Sequence, residues 1–492
     1  MSGGTPGDWL GAIRDERWFG AKAHAPLRAD VVDLVPIPPT PFGLGLIEVT
    51  FSDARSETYC VPVRLAPHGL TPSPDRAIFA RPDWILALLH GLHNGTVWRG
   101  TAGSVACQNR GTTIPPQIWA VDPSGIAPLA AEQSHQSVRC GVRLVLKQFR
   151  QLSPAPNPDR EASLALDDQG FDAIPRPVAW ATYEGPPGTF DLLWATGFVA
   201  NRGTAWDRFV ASGGPGRGGE RTREDAAALG RLIARMHGAL ARASMAGLLP
   251  SDVGGPERAR QEVEEWRRGL VETEARLRHL GPTLGPPVEE AIEHLAGWAG
   301  TLSGAGGALM EAAEARLVRI RTHGDLHLGQ VLVADPGDRF VLLDFEGEPS
   351  APVEERRAPR YAARDVAGMV RSFDYAVRRA REGGPALRPR SLRLLPPDAV
   401  RRRDGWVRSL LDAYWAQASP DHPGWLPSQP SLFERMVDFY AIEKLAYEIR
   451  YELDHRPAWV VTPLAALLER LDPGARDGDP SDPSGTGPPP SP

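Results

Sequence analysis

The chain has 492 residues, 42% hydrophobic and 24% charged, an ordinary composition for a soluble globular protein with room for two or three domains. Its 55 Lys and Arg against 61 Asp and Glu give a formal charge of −6, which excludes a global basic field for nucleic acid or an acidic membrane surface. Cys60, Cys107 and Cys140, odd in number and without CxxC spacing, exclude a disulfide framework and a structural zinc site.

The first ten residues hold neither a charged nor an apolar leader region, and no later run approaches a membrane span, so a cytoplasmic protein is expected. Residues 31–35, 44–51 and 59–65 are apolar or β-branched runs bounded by Pro, Gly or Asp, which predicts a small antiparallel sheet in a β-rich N-terminal cap module, 1–80. The Arg17-Trp18-Phe19-Gly20 cluster suits packing of that module on its neighbour. A second segment, 81–200, opens with a short helix over 83–92 that sets Trp84, Leu88 and Leu89 on one side. Strands are predicted over 117–121, 137–138 and 144–149, the last with Lys147 inside Leu-Val-Leu-Lys-Gln-Phe. A lysine there is either an outward residue of an edge strand or a cation for nucleotide phosphates paired with a helix glutamate. Glu161, on a helix after the loop 153–158, is the candidate partner, while Asp159 suits the positive end of that helix's dipole.

Strand-like pieces over 181–199 and a Gly-rich surface loop over 213–219, without phosphate-loop spacing, lead into a third segment. From Arg221 the period is helical: Thr222 with Asp225 resembles a capping arrangement, and Leu229, Leu232, Ile233, Met236 and Leu240 form one stripe. Further helices at 256–280, 288–302, 364–381, 397–417 and 432–453 make 201–471 mainly helical. His237 on the striped helix reads as a hydrogen-bonded core residue. The arginines between 378 and 403 read as solvated helix ends and loop, since no aromatic residues interleave them as a nucleic-acid surface would need. The Pro-, Gly- and Asp-rich stretch 472–492 reads as a disordered tail.

Residues 322–350 interrupt the helical half with a chemical apparatus. Asp325 follows His323-Gly324, Gln330 lies five positions on, and two apolar runs, 331–333 and 340–343, flank the turn cluster Asp335-Pro336-Gly337-Asp338 before Asp344. A hairpin brings its ends together, so an acid, an amide and a second acid converge, as they do where kinases hold a hydroxyl acceptor and Mg²⁺. His327 on this loop reads as an orienting residue.

The order of Lys147, Glu161, helical half, His-Gly-Asp, hairpin and Asp344-Phe345-Glu346 resembles the aminoglycoside-phosphotransferase-like branch of the kinase superfamily. Within it, His-Leu-Gly-Gln (327–330), Leu343-Asp344-Phe345-Glu346-Gly347-Glu348-Pro349, Arg364-Asp365-Val366-Ala367-Gly368-Met369, Tyr447-Glu448-Ile449-Arg450-Tyr451-Glu452 and Arg456-Pro457-Ala458-Trp459 look like bacterial maltokinases, over most of 14–471. The resemblance implies an α+β, bilobal protein-kinase-like fold with the N-terminal cap and a mainly helical C-terminal lobe. It also implies ATP- and Mg²⁺-dependent phosphorylation of maltose at its anomeric hydroxyl to maltose 1-phosphate for α-glucan synthesis, with docking to a trehalose- or glucan-metabolising enzyme left open.

Carried over by position, Asp325 accepts the proton of the sugar hydroxyl and Gln330 and Asp344 ligate Mg²⁺. Lys147, held by Glu161, contacts the phosphates, and donors within 133–137, Ser134 and Ser137 among them, cover these phosphates in place of a G-x-G-x-x-G loop. Gln330 stands where most kinases have Asn, and Glu346 replaces the Gly of Asp-Phe-Gly. Tyr440, Lys444, Tyr447 and Tyr451 recur at helical spacing beside Glu443 and Glu448; such a face serves either core packing or a sugar, for which Glu443, Tyr447, Glu448 and Tyr451 are the candidate contacts. Two alternatives stay open: a kinase of the same fold for glucosamine, an aminoglycoside or an amino alcohol, and a non-catalytic nucleotide-binding partner of a glucan enzyme.

Overall fold

The computed structural model describes residues 6–13, 19, 26–66, 69–72, 78, 81–129, 135–216, 219–294, 298, 302–349, 351–382, 394–421 and 424–471. The chain divides into two compact units, Met1–Arg202 with Ala334–Arg357, and Gly203–Val333 with Ala358–Pro492. The predicted tail, 472–492, lies outside the described residues.

The first unit is built on two antiparallel sheets. One runs in the order Pro26–Pro36, Phe42–Phe51, Ser56–Ala66, Gln151–Leu152, with Gly69–Pro72 added to the third strand. The other has seven strands in the order Val97–Arg99, Ser104–Asn109, Pro177–Gly185, Gly188–Gly197, Leu144–Phe149, His135–Cys140 and Ile126–Pro128. The expected strands at 31–35, 44–51, 59–65, 137–138 and 144–149 all fall within these. Residues 117–121 do not: after Pro115 the chain enters a 3₁₀ turn, Pro116–Trp119, because two successive prolines offer no N–H to a ladder.

Segments 1–80 and 81–200 share one core. Leu44, Leu46 and Cys60 from the first sheet, Trp84, Leu88 and Leu89 from the helix Pro82–Asn94, and Val105, Leu146 and Leu193 from the second sheet are buried together. A buried carboxylate stitches the same segments: Asp33 accepts bonds from Thr101 N–H (2.7 Å), Ala102 N–H (2.9 Å), Gly103 N–H (2.6 Å) and the Tyr183 hydroxyl (2.9 Å). Burial alone would raise its pKa, yet these donors hold it below the ordinary value.

The second unit is mainly helical. The helix Glu220–Met245 packs against Pro397–Ala418 so closely that a Cβ at Gly230 would stand 2.2 Å from the Leu410 carbonyl oxygen. No side chain caps Glu220–Met245; Asp225, expected near its cap, instead takes two bonds of 2.7 Å from Arg208. The helices Pro256–Leu284, Ala363–Glu382 and Pro430–His455 match the expected ones within a few residues, and among the described residues no helix is long and apolar enough to cross a membrane.

The arginine-rich stretch departs from its expected role. Arg378 is buried and Arg403 is largely enclosed, neither freely solvated: Arg378 pairs with Asp374 (2.9 Å) and Glu469 (2.9 Å), and Arg403 with the same two carboxylates at 3.0 Å each. Residues 388, 390 and 393 lie outside the described residues.

The hairpin is where the chain passes between units. Its strands are Val331–Ala334 and Phe340–Leu342, closed by Ala334 N–H to the Arg339 carbonyl at 2.8 Å. Gly337 (φ 106°) and Asp338 (φ 53°) make the turn, both in the region that Gly and Asp tolerate best. Leu342 N–H then donates to the Ala173 carbonyl at 2.8 Å, which fixes the approach to Asp344 within the first unit.

Candidate active site

Lys147 lies on the strand Leu144–Phe149, between Ser137 of one neighbouring strand and Trp194 of the other. It is 8% exposed, so the edge-strand reading fails: this strand is interior to its sheet and the ammonium is held inside the unit. Buried ammonium needs carboxylate, and three surround it: Glu346 Oε1 at 2.6 Å, Asp159 Oδ2 at 3.9 Å and Asp344 Oδ1 at 3.9 Å.

Glu161 is not among them. It faces Arg357, whose Nε donates to Oε2 at 2.9 Å and whose Nη2 donates to Oε1. The pairing expected with Lys147 is therefore corrected: on the helix Pro158–Asp168 the carboxylate nearest Lys147 belongs to Asp159, two positions earlier and so on another side of the helix. Asn157 caps that helix with its side-chain oxygen, accepting from Asp159 N–H and Arg160 N–H, which leaves the Asp159 carboxylate to accept the Phe345 N–H at 3.0 Å.

Asp344 sits at φ 63°, a left-handed conformation that costs a side-chain-bearing residue about 1–3 kcal/mol and concentrates at functional sites. Its carboxylate, Asp159 and Glu346 offer oxygens that all lie within 4.8 Å of one another. Burial pushes the Asp159 carboxyl up to about 6, against the pull of Lys147 and with the push of Asp344 and Glu346. Burial would raise Glu346 too, but His135 and Lys147 hold it well below the usual carboxylate range. One ammonium against three carboxylates leaves surplus negative charge on hard oxygen donors, a set that fits Mg²⁺. Sequence reasoning missed His135, Asp159 and Glu346 as members of this cluster. The only signal was Glu346 standing where a glycine was expected.

In the second unit, the His-Gly-Asp loop is held by Asp365. Its Oδ2 accepts His323 N–H at 2.7 Å and its Oδ1 accepts Gly324 N–H at 3.0 Å, with Gly324 at φ 89°. His237 Nε2 reaches the same carboxylate at 3.1 Å, and its Nδ1 meets the Tyr414 hydroxyl at 2.8 Å, so His237 is the bonded core residue expected. Burial would raise the Asp365 carboxyl, but the bond and charge of His237 hold it below the ordinary value. His327 Nδ1 accepts the Gly329 N–H at 3.0 Å and orders the turn before Gln330, as an orienting residue would. A Cβ at Gly368 would lie 2.4 Å from the Leu326 carbonyl oxygen, so the helix Ala363–Glu382 can approach this loop only with glycine there. Asp325 projects from this braced loop and meets Lys444 Nζ at 3.4 Å.

The helix Pro430–His455 divides its expected sugar face. Tyr440 is buried and its hydroxyl donates to Glu262 at 3.0 Å. Glu448, 13% exposed, receives the buried Arg371 at 2.8 Å, while Glu443, paired with Arg364 at 3.5 Å, stays about 32% exposed. Tyr447 and Tyr451 face each other at 6.3 Å, and Tyr451 stacks on His455 at 4.3 Å. Of the candidates Glu443, Tyr447, Glu448 and Tyr451, Glu448 is the one drawn into the interior. Ser134 lies outside the described residues, and Ser137 is buried on the strand His135–Cys140.

Residues 125–347 match the phosphotransferase enzyme family. The chain is 28% identical over 391 residues to the glucosamine kinase of Mycolicibacterium smegmatis, covering 75% of this chain and 86% of that one. It is likewise 28% identical over 374 residues to the glucosamine kinase of Streptacidiphilus jiangxiensis, covering 72% and 76%. Two solved structures share its fold: a glucosamine kinase (TM-score 0.68, 24% identity, 94% of this chain and 99% of that one) and a glucosamine kinase in complex with glucosamine, ADP and inorganic phosphate (TM-score 0.67, 23% identity, the same coverage). The aminoglycoside-phosphotransferase-like, protein-kinase-like fold expected from the motifs is thus the fold observed, and the segment that matches the phosphotransferase enzyme family contains Lys147, Asp325 and Asp344.

Proposed function

We propose that this chain transfers the γ-phosphoryl group of ATP to a hydroxyl of glucosamine or a closely related amino sugar, with Mg²⁺ as cofactor. The observation that carries the phosphoryl-transfer reading is the Lys147 cluster, an ammonium for nucleotide phosphates set among carboxylates suited to a hard cation. The acceptor rests on the two curated relatives, both glucosamine kinases. They favour the amino-sugar alternative over maltose.

Asp325, held out by the Asp365-braced loop, accepts the proton of the attacking hydroxyl. Lys147 neutralises phosphate charge, and Asp344 supplies oxygen ligands for the cation. The Mg²⁺ that these carboxylates would hold would supply positive charge to neutralise the transferring phosphoryl group. Glu443, half-buried and paired with Arg364 at 3.5 Å, is the carboxylate of this face suited to an acceptor's ammonium group. The work is positioning and charge neutralisation, with no covalent enzyme intermediate.

Maltose is the second reading, favoured by the motifs 447–452 and 456–459. Phosphorus NMR of the full chain with ATP, Mg²⁺ and each sugar in turn separates the two. A sugar phosphate from glucosamine is expected; a product from maltose alone would replace the first reading with the second, and no ATP consumption with any sugar would sink both.

A further inference from the structure

A strand lysine that grips phosphates has a flexible four-carbon stem, so a carboxylate must hold its ammonium in one place. The helix glutamate at hand, Glu161, is occupied by Arg357. Lys147 Nζ donates instead to Glu346 Oε1 at 2.6 Å. The other oxygen of that carboxylate, Oε2, lies 2.9 Å from His135 Nε2. The His135 ring in turn packs edge-on against Phe149, on the lysine's own strand, with centroids 5.1 Å apart.

The two acids of Asp344-Phe345-Glu346 differ in a way that separates their tasks. The Glu346 side chain is 13% exposed with both oxygens engaged by nitrogen donors, whereas that of Asp344 is 41% exposed. A cation carrying nucleotide needs an open carboxylate; a lysine clamp needs a closed one.

We propose that Glu346, braced by His135, is the positioning residue that holds Lys147 for the nucleotide phosphates, in place of a helix glutamate. The inference rests on the nucleotide-dependent reading above. Asp159 supplies the helix's share, since one oxygen accepts the Phe345 N–H at 3.0 Å and the other lies 3.9 Å from Lys147 Nζ. The lysine clamp and the cation ligand Asp344 then sit on one three-residue segment, so the two cannot be displaced independently.

Calorimetric titration of ATP into the full chain, without any acceptor, tests this directly. Glu346→Gln is expected to weaken ATP binding about tenfold or more, and His135→Gln about threefold, because each removes a charge-assisted bond from the clamp. Glu161→Gln is expected to stay within about twofold of wild type, as its bond to Arg357 lies outside the clamp. Glu346→Asp keeps the charge and should recover part of the loss, which guards against a Gln variant that fails to fold. In turnover, Glu346→Gln should raise the KM for ATP and leave that for the sugar unchanged, a split that general loosening would not give. Wild-type affinity in Glu346→Gln, or a loss confined to Glu161→Gln, overturns the proposal. A wild type that binds no ATP overturns it together with the nucleotide reading. ATP binding that Glu346→Gln weakens, without turnover of any amino sugar, supports the clamp and overturns only the acceptor.

Discussion

Around Arg371 three guanidinium groups, of Arg371, Arg378 and Arg403, meet three carboxylates, of Asp374, Glu448 and Glu469. Around Lys147 a single ammonium meets three carboxylates. Both networks are largely enclosed, with Asp344 the open member at 41% side-chain exposure, and burying an ion costs several kcal/mol unless it is answered by opposite charge. In the second unit each charge is answered. A cavity of about 330 Å³ opens beside Arg371, Asp374, Arg403 and Glu469. In the first unit the answer is incomplete: three carboxylates face one ammonium, and burial, with Asp344 and Glu346 adding to it, raises the Asp159 carboxyl to about 6. Burial of charge therefore does not by itself mark a site. The carboxylate surplus beside Lys147 is what a divalent cation would answer, and the function proposed above uses it so.

That contrast can be broken from either side. The largest effect is expected at the unbalanced cluster: Asp344→Asn should lower turnover about a thousandfold or more while the melting temperature holds or rises, since one of three crowded carboxylates loses its charge. Asp325→Asn should cost about 10²–10⁴-fold through loss of the proton acceptor, with the fold unchanged by circular dichroism. The reverse pattern is expected at the balanced network. Asp374→Asn should destabilise by about 3–5 kcal/mol in urea unfolding, because Arg371, Arg378 and Arg403 lose a shared partner, while the folded fraction keeps its specific activity. Loss of turnover in Asp374→Asn with stability intact would erase the distinction.

The same network sets a pH dependence. Burial would raise the Asp374 carboxyl, but Arg378, Arg371 and Arg403 hold it far below the ordinary range. A depressed folded-state pKa contributes stability above the unfolded value of about 3.9 and loses it as pH falls further toward the folded value. The deficit of Asp374→Asn should therefore be full and constant from pH 7 down to about 4, narrowing only in stronger acid, as thermal melts would show. The smallest effect is expected at the loop brace: Tyr414→Phe removes one bond to His237 Nδ1 and should cost about 1 kcal/mol, with little change in turnover because Asp365 still holds the loop.

The parts of this site that the sequence made legible are those encoded locally. His323-Gly324-Asp325, the turn 335–338 and Asp344 lie in one short stretch whose spacing dictates a loop and a hairpin, and Lys147 stands out as a charge in an apolar strand. What was not legible is which distant group each one meets. Glu161 and Asp159 are two positions apart on one helix, and only tertiary packing turns Asp159 to Lys147 and Glu161 to Arg357. Arg378 and Arg403 look like solvent-facing charges until Glu469, far along the chain, is folded against them. Asp365 lay inside a motif noted for its resemblance, but its role required knowing that the helix Ala363–Glu382 passes the His-Gly-Asp loop at Gly368. The expected strand at 117–121 failed for a local reason, the Pro115-Pro116 pair, and that signal was present in the sequence.

The most direct test of the central claim is ADP release from ATP with glucosamine, measured with and without Mg²⁺ on the wild type and on Asp344→Asn side by side. The account expects turnover only in the wild type with Mg²⁺, abolished by chelation. Turnover that persists in Asp344→Asn, or without a divalent cation, would contradict it.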